Sequence, residues 1–226
     1  MKIDCVSIST VQNFSVNLVI EQHRLRYREV ITKERWRDVY VVDDMEFDKY
    51  DNIATEYLVA RDEQGRVVGT MRSYPTSIPS MLSERFKFLV TRSRPAGPKV
   101  LDQSRLVLDR TALTKEQRRP VIHALVLASL ERGLQRGIEG YVGFMLPKIW
   151  ASTFQSAGWE LEWLGDETIL KGGDVVRAGY LPVNEAMKKK VRSVTGITEP
   201  VLNFGHGSEE SLGVAFRSHL KYPGNT

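Results

Sequence analysis

The sequence predicts an α/β fold, a single twisted mixed sheet with helices on both faces. Three observations point there. Strand-like and helix-like segments alternate along most of the 226 residues. Two apolar runs, Glu56–Ala60 and Arg66–Ser73, flank the turn Asp62-Glu63-Gln64-Gly65 and read as a hairpin. The longest helical pattern, running to about Arg132, is apolar on most faces and so belongs against a sheet.

The elements follow in order. Residues 2–8 alternate as a strand. Residues 15–34 carry Val16, Val19, Ile20, His23, Tyr27, Val30 and Ile31 at helical spacing. Residues 36–52 mix aromatics and acids without a period and read mostly as loop. After the hairpin, Pro75 and Pro79 break the chain, and residues 80–90 suit a short helix before a loop over 91–98. Val100–Leu108 is a strand anchored by Leu101, Leu106 and Leu108. Thr114-Lys115-Glu116-Gln117 has capping-box form, but Pro120 lies deep in such a helix, so a start at Pro120 is the alternative. Gly133 and Gly137 mark its end. Gly140–Leu146 is a strand, and Pro147–Ala157 a helix closed by Gly158. Trp159–Trp163, Thr168–Lys171 and Val175–Leu181 read as strands, with Gly172-Gly173 turning between the last two. Asn184 caps a helix through Arg192, and a final helix is expected near Ser211–Leu220. No repeat or linker interrupts the pattern, so a single domain over 1–226 is expected.

Composition narrows the function. The 42% hydrophobic content is ordinary for a soluble globular protein, and no apolar run reaches the roughly 18 residues of a membrane span. The lone Cys5 and the absence of a signal-like N-terminus lead to the expectation of a reducing, cytoplasmic setting. The net charge of +4 permits an acidic partner without demanding one. No basic stripe with interleaved aromatics appears, so nucleic acid is not expected, nor is a membrane partner. The run Lys188-Lys189-Lys190-Val191-Arg192 reads as a solvated helix face or a docking patch for an acidic protein. Four histidines without ligand spacing argue against a metal. Gly-x-Ser-x-Gly, the Walker loop and Gly-x-Gly-x-x-Gly are all absent.

The polar residues concentrate elsewhere. Glu46-Phe47-Asp48-Lys49-Tyr50-Asp51 is too acidic for a core strand. Arg26 and Trp36 precede it; Gly69-Thr70-Met71-Arg72 and Asp102-Gln103-Ser104-Arg105 follow. Taken singly, Asp48 and Asp51 read as turn-capping residues, Trp36 as core packing, and Arg105 as an ion-pair partner of Asp102. Arg118 and Arg119, near a helix start, read as solvated charges or as phosphate holders.

Together these residues carry two resemblances. The element order from Tyr57 to Gly158 resembles acyl-CoA N-acyltransferases of the GNAT type, although the pyrophosphate-cradling motif is missing after Val100–Leu108. Leu25-Arg26, Trp36, and Glu46-x-Asp48-x-x-Asp51 resemble the N-terminal signature of LuxI-type acyl-homoserine lactone synthases. Val67 to Arg72, Pro75-Thr76, Pro79-Ser80-Met81-Leu82 with Phe86, and Asp102-x-Ser104-Arg105 continue it. The match covers about residues 20–110 and follows the family order to about 182.

The resemblance implies a GNAT-like fold and a quorum-sensing acyltransferase. Such an enzyme moves an acyl group from acyl carrier protein, or acyl-CoA, to the amine of S-adenosylmethionine, then closes the lactone and releases methylthioadenosine. S-adenosylmethionine is a substrate, and no separate cofactor is implied. Residues 1–52 would form part of its site, and 203–226 a C-terminal extension. Asp48 and Asp51 would orient the amine, Arg26 would pair with the substrate carboxylate or brace the acidic loop, and Trp36 would cover the sulfonium. Asp102 would be the general base, directly or through water, with Arg72, Ser104 and Arg105 ordering the site around it. Asp102 replaces the family's usual glutamate, and Val30, Glu34-Arg35, Leu101 and Leu106 are further departures. Phe144 and Met145, with Leu146, Ile149 and Trp150, would line an acyl slot between the 140–146 strand and the next helix; a bulky Phe144 would disfavour a 3-oxo chain. Two other readings are an N-acyltransferase with a different amine acceptor and a non-catalytic acyl-carrier-binding protein.

Overall fold

The computed structural model describes residues 1–34, 39–93 and 95–205. Strand β1 (Ile3–Val6) leads to helix α1 (Val16–Arg26), whose cap is Ser15: its hydroxyl accepts from the Asn17 N–H. The helix runs on as a π-helical segment, Tyr27–Lys33. Next come β2 (Tyr40–Val42), β3 (Met45–Phe47), β4 (Glu56–Arg61), β5 (Val67–Pro75) and the single turn α2 (Met81–Glu84). Strand β6 (Val100–Leu108), helix α3 (Lys115–Gln135), β7 (Gly140–Met145) and α4 (Pro147–Trp150) follow. The described chain ends through β8 (Glu162–Trp163), β9 (Thr168–Ile169), β10 (Val175–Pro182), α5 (Glu185–Thr195) and β11 (Leu202–Asn203).

The main sheet has the order β11-β1-β4-β5-β6-β7-β10-β8, with β9 also on β10. Its ladders are antiparallel except β1–β11 and β6–β7. The β6–β7 ladder joins only Val100–Asp102 to Gly140–Val142, so past Asp102 the two strands separate and a wedge opens. Gly143 stands at its mouth, where a Cβ would fall 2.8 Å from the Gln103 carbonyl oxygen. On the other side of β6 the register slips between Thr70 and Arg72, and Arg105 has φ 53°, a left-handed bulge residue. The slip turns Arg105 out of the ladder toward the front layer.

Alternation along the strands feeds two faces. On the back, α3 and α5 cover Ile3, Leu58, Leu101, Tyr141 and Leu181, with Trp150 and Trp159 filling the space beside α3. On the front, α1 packs Leu18 and Leu25 on Val59, Val67 and Val107. Helix α2 and the segment after it pack Leu82 and Leu89 on Val100, Val142 and Val176. Each such fully buried side chain contributes roughly 1.5–3 kcal/mol. The polar residues lie between these two front patches. No helix among the described residues is long and apolar enough to cross a membrane.

Several expectations need correcting. Residues 40–47 form a hairpin, not loop; Asp43 and Asp44 both take left-handed φ, 49° and 59°, as a two-residue mirror-image turn requires. Helix α3 starts at Lys115, with the Thr114–Gln117 capping box in place, and it tolerates Pro120 inside it. Gly133 does not end that helix: it lets Val183 and the Tyr141 hydroxyl approach, 3.0 and 3.1 Å from where a Cβ would be. Gly137, at φ 63°, follows the true end. The 147–157 helix is α-helical only to Trp150 and π-helical over Ala151–Gln155. The helix expected at Ser211–Leu220 lies outside the described residues.

Candidate functional site

Hairpin β2–β3 and the turn after it carry the acidic run beneath α1, against β5 and β6. There three carboxylates meet three arginines. Arg26, from the end of α1, donates through Nε to Glu46 Oε2 at 2.5 Å, and through Nη1 and Nη2 to both Asp51 oxygens at 2.8 and 2.7 Å. Arg72, from β5, grips Asp48 at 2.6 and 3.0 Å, lies 3.0 Å from Asp51, and donates through Nε to Ser104 at 3.2 Å. Arg105, turned by the bulge, reaches Glu46 at 2.7 Å and Asp48 at 2.6 Å. Tyr57 donates its hydroxyl to Asp51, and the backbone N–H groups of Asp48 and Tyr50 donate to Asp51 and Asp48. Burial alone would raise the three carboxyl pKa values, but the arginines outweigh it and hold all three below the ordinary range. His23 bonds the Glu46 carbonyl through Nδ1 at 2.8 Å and stacks on Phe47; burial and Arg26 push its pKa down to about 4.

This arrangement redistributes the expected roles. Arg26 is fully buried and its guanidinium is engaged by Glu46 and Asp51, the geometry of a brace for the acidic loop. Both oxygens of Asp51 are engaged, which leaves that carboxylate no lone pair aimed at a ligand. Glu46, secondary in the sequence reading, is fully buried and joins Arg26 to Arg105. Arg105 pairs with Glu46 and Asp48, where the sequence suggested Asp102. Arg118 donates to the Leu113 and Arg110 carbonyls, not outward toward a phosphate. In the basic run, Lys188, Lys190 and Arg192 pair with Glu185, Glu160 and Glu131, which favours the solvated face over a docking patch. Trp36 lies outside the described residues.

Asp102 behaves differently from the cluster. It pairs across the ladder with Tyr74 as Ser104 does with Arg72, which puts all four side chains on the front face. It is 3% exposed, and its Oδ2 has no hydrogen-bond partner. Burial lifts its pKa to about 6, although Ser80, Arg72, Tyr74 and the Leu82 N–H each pull it back. A carboxyl so placed is ionised at neutral pH yet close to its proton affinity there, which suits a general base. Tyr74 went unnoticed in the sequence, and Ser80 figured there only as part of the 79–82 signature. The signal for Tyr74 was its two-residue offset from Arg72 on one strand.

Beside these groups a cavity of about 380 Å³ opens between the acidic turn and α2. It is lined by Val39, Tyr40, Asp48, Lys49, Tyr50, Met81 and Arg85. The Tyr50 ring lies parallel to Tyr74 at 5.9 Å, and so connects the cavity wall to the Asp102 neighbourhood. Phe86 packs on Phe144 at 4.2 Å, on the front face. Met145, the next residue on β7, faces back into the core with Trp150. The structure therefore separates Phe144 from Met145, and the two do not share one wall.

A mixed sheet with a wedge between parallel β6 and β7, and α3 packed behind it, defines a GNAT-like acyltransferase. The family model described as autoinducer synthase matches residues 11–191. The chain belongs to the autoinducer synthase family. It is 33% identical over 162 residues to the isovaleryl-homoserine lactone synthase of Bradyrhizobium diazoefficiens, spanning 70% of this chain and 71% of that one. It is 30% identical over 179 residues to the acyl-homoserine-lactone synthase of Agrobacterium fabrum, spanning 76% and 82%. Among solved structures, a CoA-dependent acyl-homoserine lactone synthase with SAM and isopentyl-CoA superposes with TM-score 0.78 at 27% identity, covering 89% of this chain and 92% of that one.

Proposed function

We propose that this protein acylates the amine of S-adenosylmethionine from an acyl thioester and closes the product to an acyl-homoserine lactone, a quorum-sensing signal. The observation that carries this reading is Asp102: a buried carboxyl with one oxygen unengaged, at the start of the strand wedge and linked to the cavity wall through Tyr74 and Tyr50. The cavity takes S-adenosylmethionine, with Tyr50, Met81 and the paired Asp48 as its walls. Glu46, Asp51, Arg26, Arg72 and Arg105 hold those walls in place, and with Asp48 they balance three carboxylates against three guanidinium groups. The wedge takes the thioester, with Ser104 and Phe86 beside its front opening and Met145 behind. Residues 1–52 and the rest of the chain act as one domain around this site. Trp36 closes over the sulfonium, as the family signature implies.

The chemistry balances without a further cofactor. Asp102 takes a proton from the amine, directly or through the water its short side chain leaves room for. The nitrogen lone pair attacks the thioester carbonyl; the N–C bond forms, the C–S bond breaks, and the thiolate leaves and takes up a proton. The substrate carboxylate then attacks the carbon beside the sulfonium. That C–S bond breaks and methylthioadenosine departs neutral with the electron pair. The second step needs positioning more than acid or base.

The similarity to a CoA-dependent relative favours acyl-CoA as donor, with acyl carrier protein as the alternative source of the same thioester. The test incubates the full chain with S-adenosylmethionine and each donor, and follows methylthioadenosine and lactone by mass spectrometry. Methylthioadenosine with the acyl lactone supports the reading. An acylated product from another amine, with no methylthioadenosine, would replace it. Donor binding without any product would point to a non-catalytic carrier-binding role.

A further inference from the structure

We infer that Gln103 is a specificity-determining residue that accepts a hydrogen bond from a hydroxyl on the acyl chain. The preferred donor is then a hydroxylated acyl thioester, of which a 3-hydroxyacyl group is the simplest case. The inference rests on the acyl-transfer reading above and deepens it.

Gln103 follows Asp102 on β6, so its side chain points to the opposite face, toward α3. It is 6% exposed. Its amide orientation is fixed by the neighbour it meets. Ser129 has one hydroxyl proton, which goes to the Leu125 carbonyl at 3.1 Å. With that proton so placed, the Ser129 oxygen accepts from Gln103 Nε2, at 2.9 Å. The Tyr141 hydroxyl donates to the Ser129 carbonyl at 2.7 Å and ties this turn of α3 to β7. Gln103 Oε1 is left buried with no partner. An unsatisfied acceptor of this kind is disfavoured in a closed core and calls for an occupant.

Its position says which occupant. The β6–β7 ladder ends at Asp102 and Val142, so the wedge opens at Gln103 and Gly143. Gly143 lets the β7 backbone come close to Gln103 where the ladder ends: a Cβ there would lie 2.8 Å from the Gln103 carbonyl and 3.8 Å from the Trp150 ring. Neighbouring Cα atoms are about 3.8 Å apart. A thioester reacting beside Asp102 at the front, with its chain in the wedge, thus meets Gln103 within its first few carbons. A hydroxyl there donates to Oε1. A 3-oxo group presents a second acceptor to it, and an unsubstituted chain leaves it orphaned. Gln103 thus disfavours 3-oxo chains, a preference the sequence had attached to Phe144.

The test compares 3-hydroxyacyl, unsubstituted and 3-oxoacyl thioesters of equal length on the full chain. Each is supplied both on coenzyme A and on acyl carrier protein, and kcat/KM is read from methylthioadenosine release. A preference of about tenfold or more for the hydroxylated chain is expected from one buried hydrogen bond. The preference should collapse toward unity in Gln103→Met. If that variant does not fold, Ser129→Ala frees the amide to turn, and discrimination against the 3-oxo chain should relax. Equal turnover of all three chains by the wild type, or an undiminished preference in Gln103→Met, overturns the inference while leaving acyl transfer intact. No methylthioadenosine from any donor overturns the acyl-transfer reading, and this inference with it.

Discussion

Asp102 is an aspartate where the family it resembles usually has glutamate, and that one methylene shapes the expected kinetics. Asp102→Asn removes the proton acceptor but keeps shape and burial. Turnover should fall by about 100- to 10,000-fold, the usual span for a general base, with the circular dichroism spectrum unchanged. Wild-type turnover surviving in this variant would remove Asp102 from the mechanism. The same group sets a pH limb. A base whose pKa is lifted to about 6 is increasingly protonated below that value. Acyl transfer should therefore decline as pH falls through about 6, and a pH–rate profile still flat at pH 5 would contradict the assignment. Asp48 and Asp51 do not share this behaviour, because the arginines keep them ionised well below that range.

At the level of elements, ion pairs join pieces that hydrophobic packing alone would leave separate. Glu46 on β3 is the joint between Arg26 on α1 and Arg105 on β6. Glu46→Gln leaves two buried guanidinium groups short of charge, a change that typically destabilises by about 3–5 kcal/mol. Urea titration should show that loss, and a shift under 1 kcal/mol would mean that water already screens the cluster. The wedge makes a second claim on single elements. Gly143→Ala pushes a methyl against the Gln103 carbonyl at 2.8 Å, so β6 and β7 must move apart. We expect a loss of about 1–3 kcal/mol, with a larger fall in turnover for long acyl chains than for short ones. Much of this was legible in the sequence. Val100–Leu108 and the 56–73 hairpin announce themselves by alternation and turn residues. The β2–β3 hairpin does not, because Asp43-Asp44 makes its turn without glycine. The order of charged residues was readable, but their partners were not: Arg105 finds Glu46 across 59 positions, through a bulge that no local pattern marks. The opposite facing of Phe144 and Met145 was available from the period-two rule alone.

Across the whole molecule, the buried ionisable groups pull stability in opposite directions over one pH window. Glu46, Asp48 and Asp51 have pKa values lowered by folding, so their contribution is present above the unfolded carboxyl range and fades as pH drops below about 4. His23, lowered from 6.5 to about 4, binds its proton more readily when unfolded, so stability rises with pH between those values. Asp102, raised from 3.8 to about 6, binds its proton more readily when folded, so stability falls with pH across nearly the same interval. Each of these two effects amounts to roughly 3 kcal/mol, and they largely cancel. His123, also lowered by burial, adds a smaller push in the direction of His23. Denaturation midpoints of the wild type should therefore vary little between pH 4.5 and 6.5 and drop sharply below 4. Asp102→Asn removes the falling term and exposes the rising one. The variant should match wild type near pH 4 and exceed it by up to about 3 kcal/mol at pH 7, while turning over far less substrate. If the two proteins unfold alike at pH 7, Asp102 carries no folding penalty and is not a desolvated carboxylate poised for proton transfer.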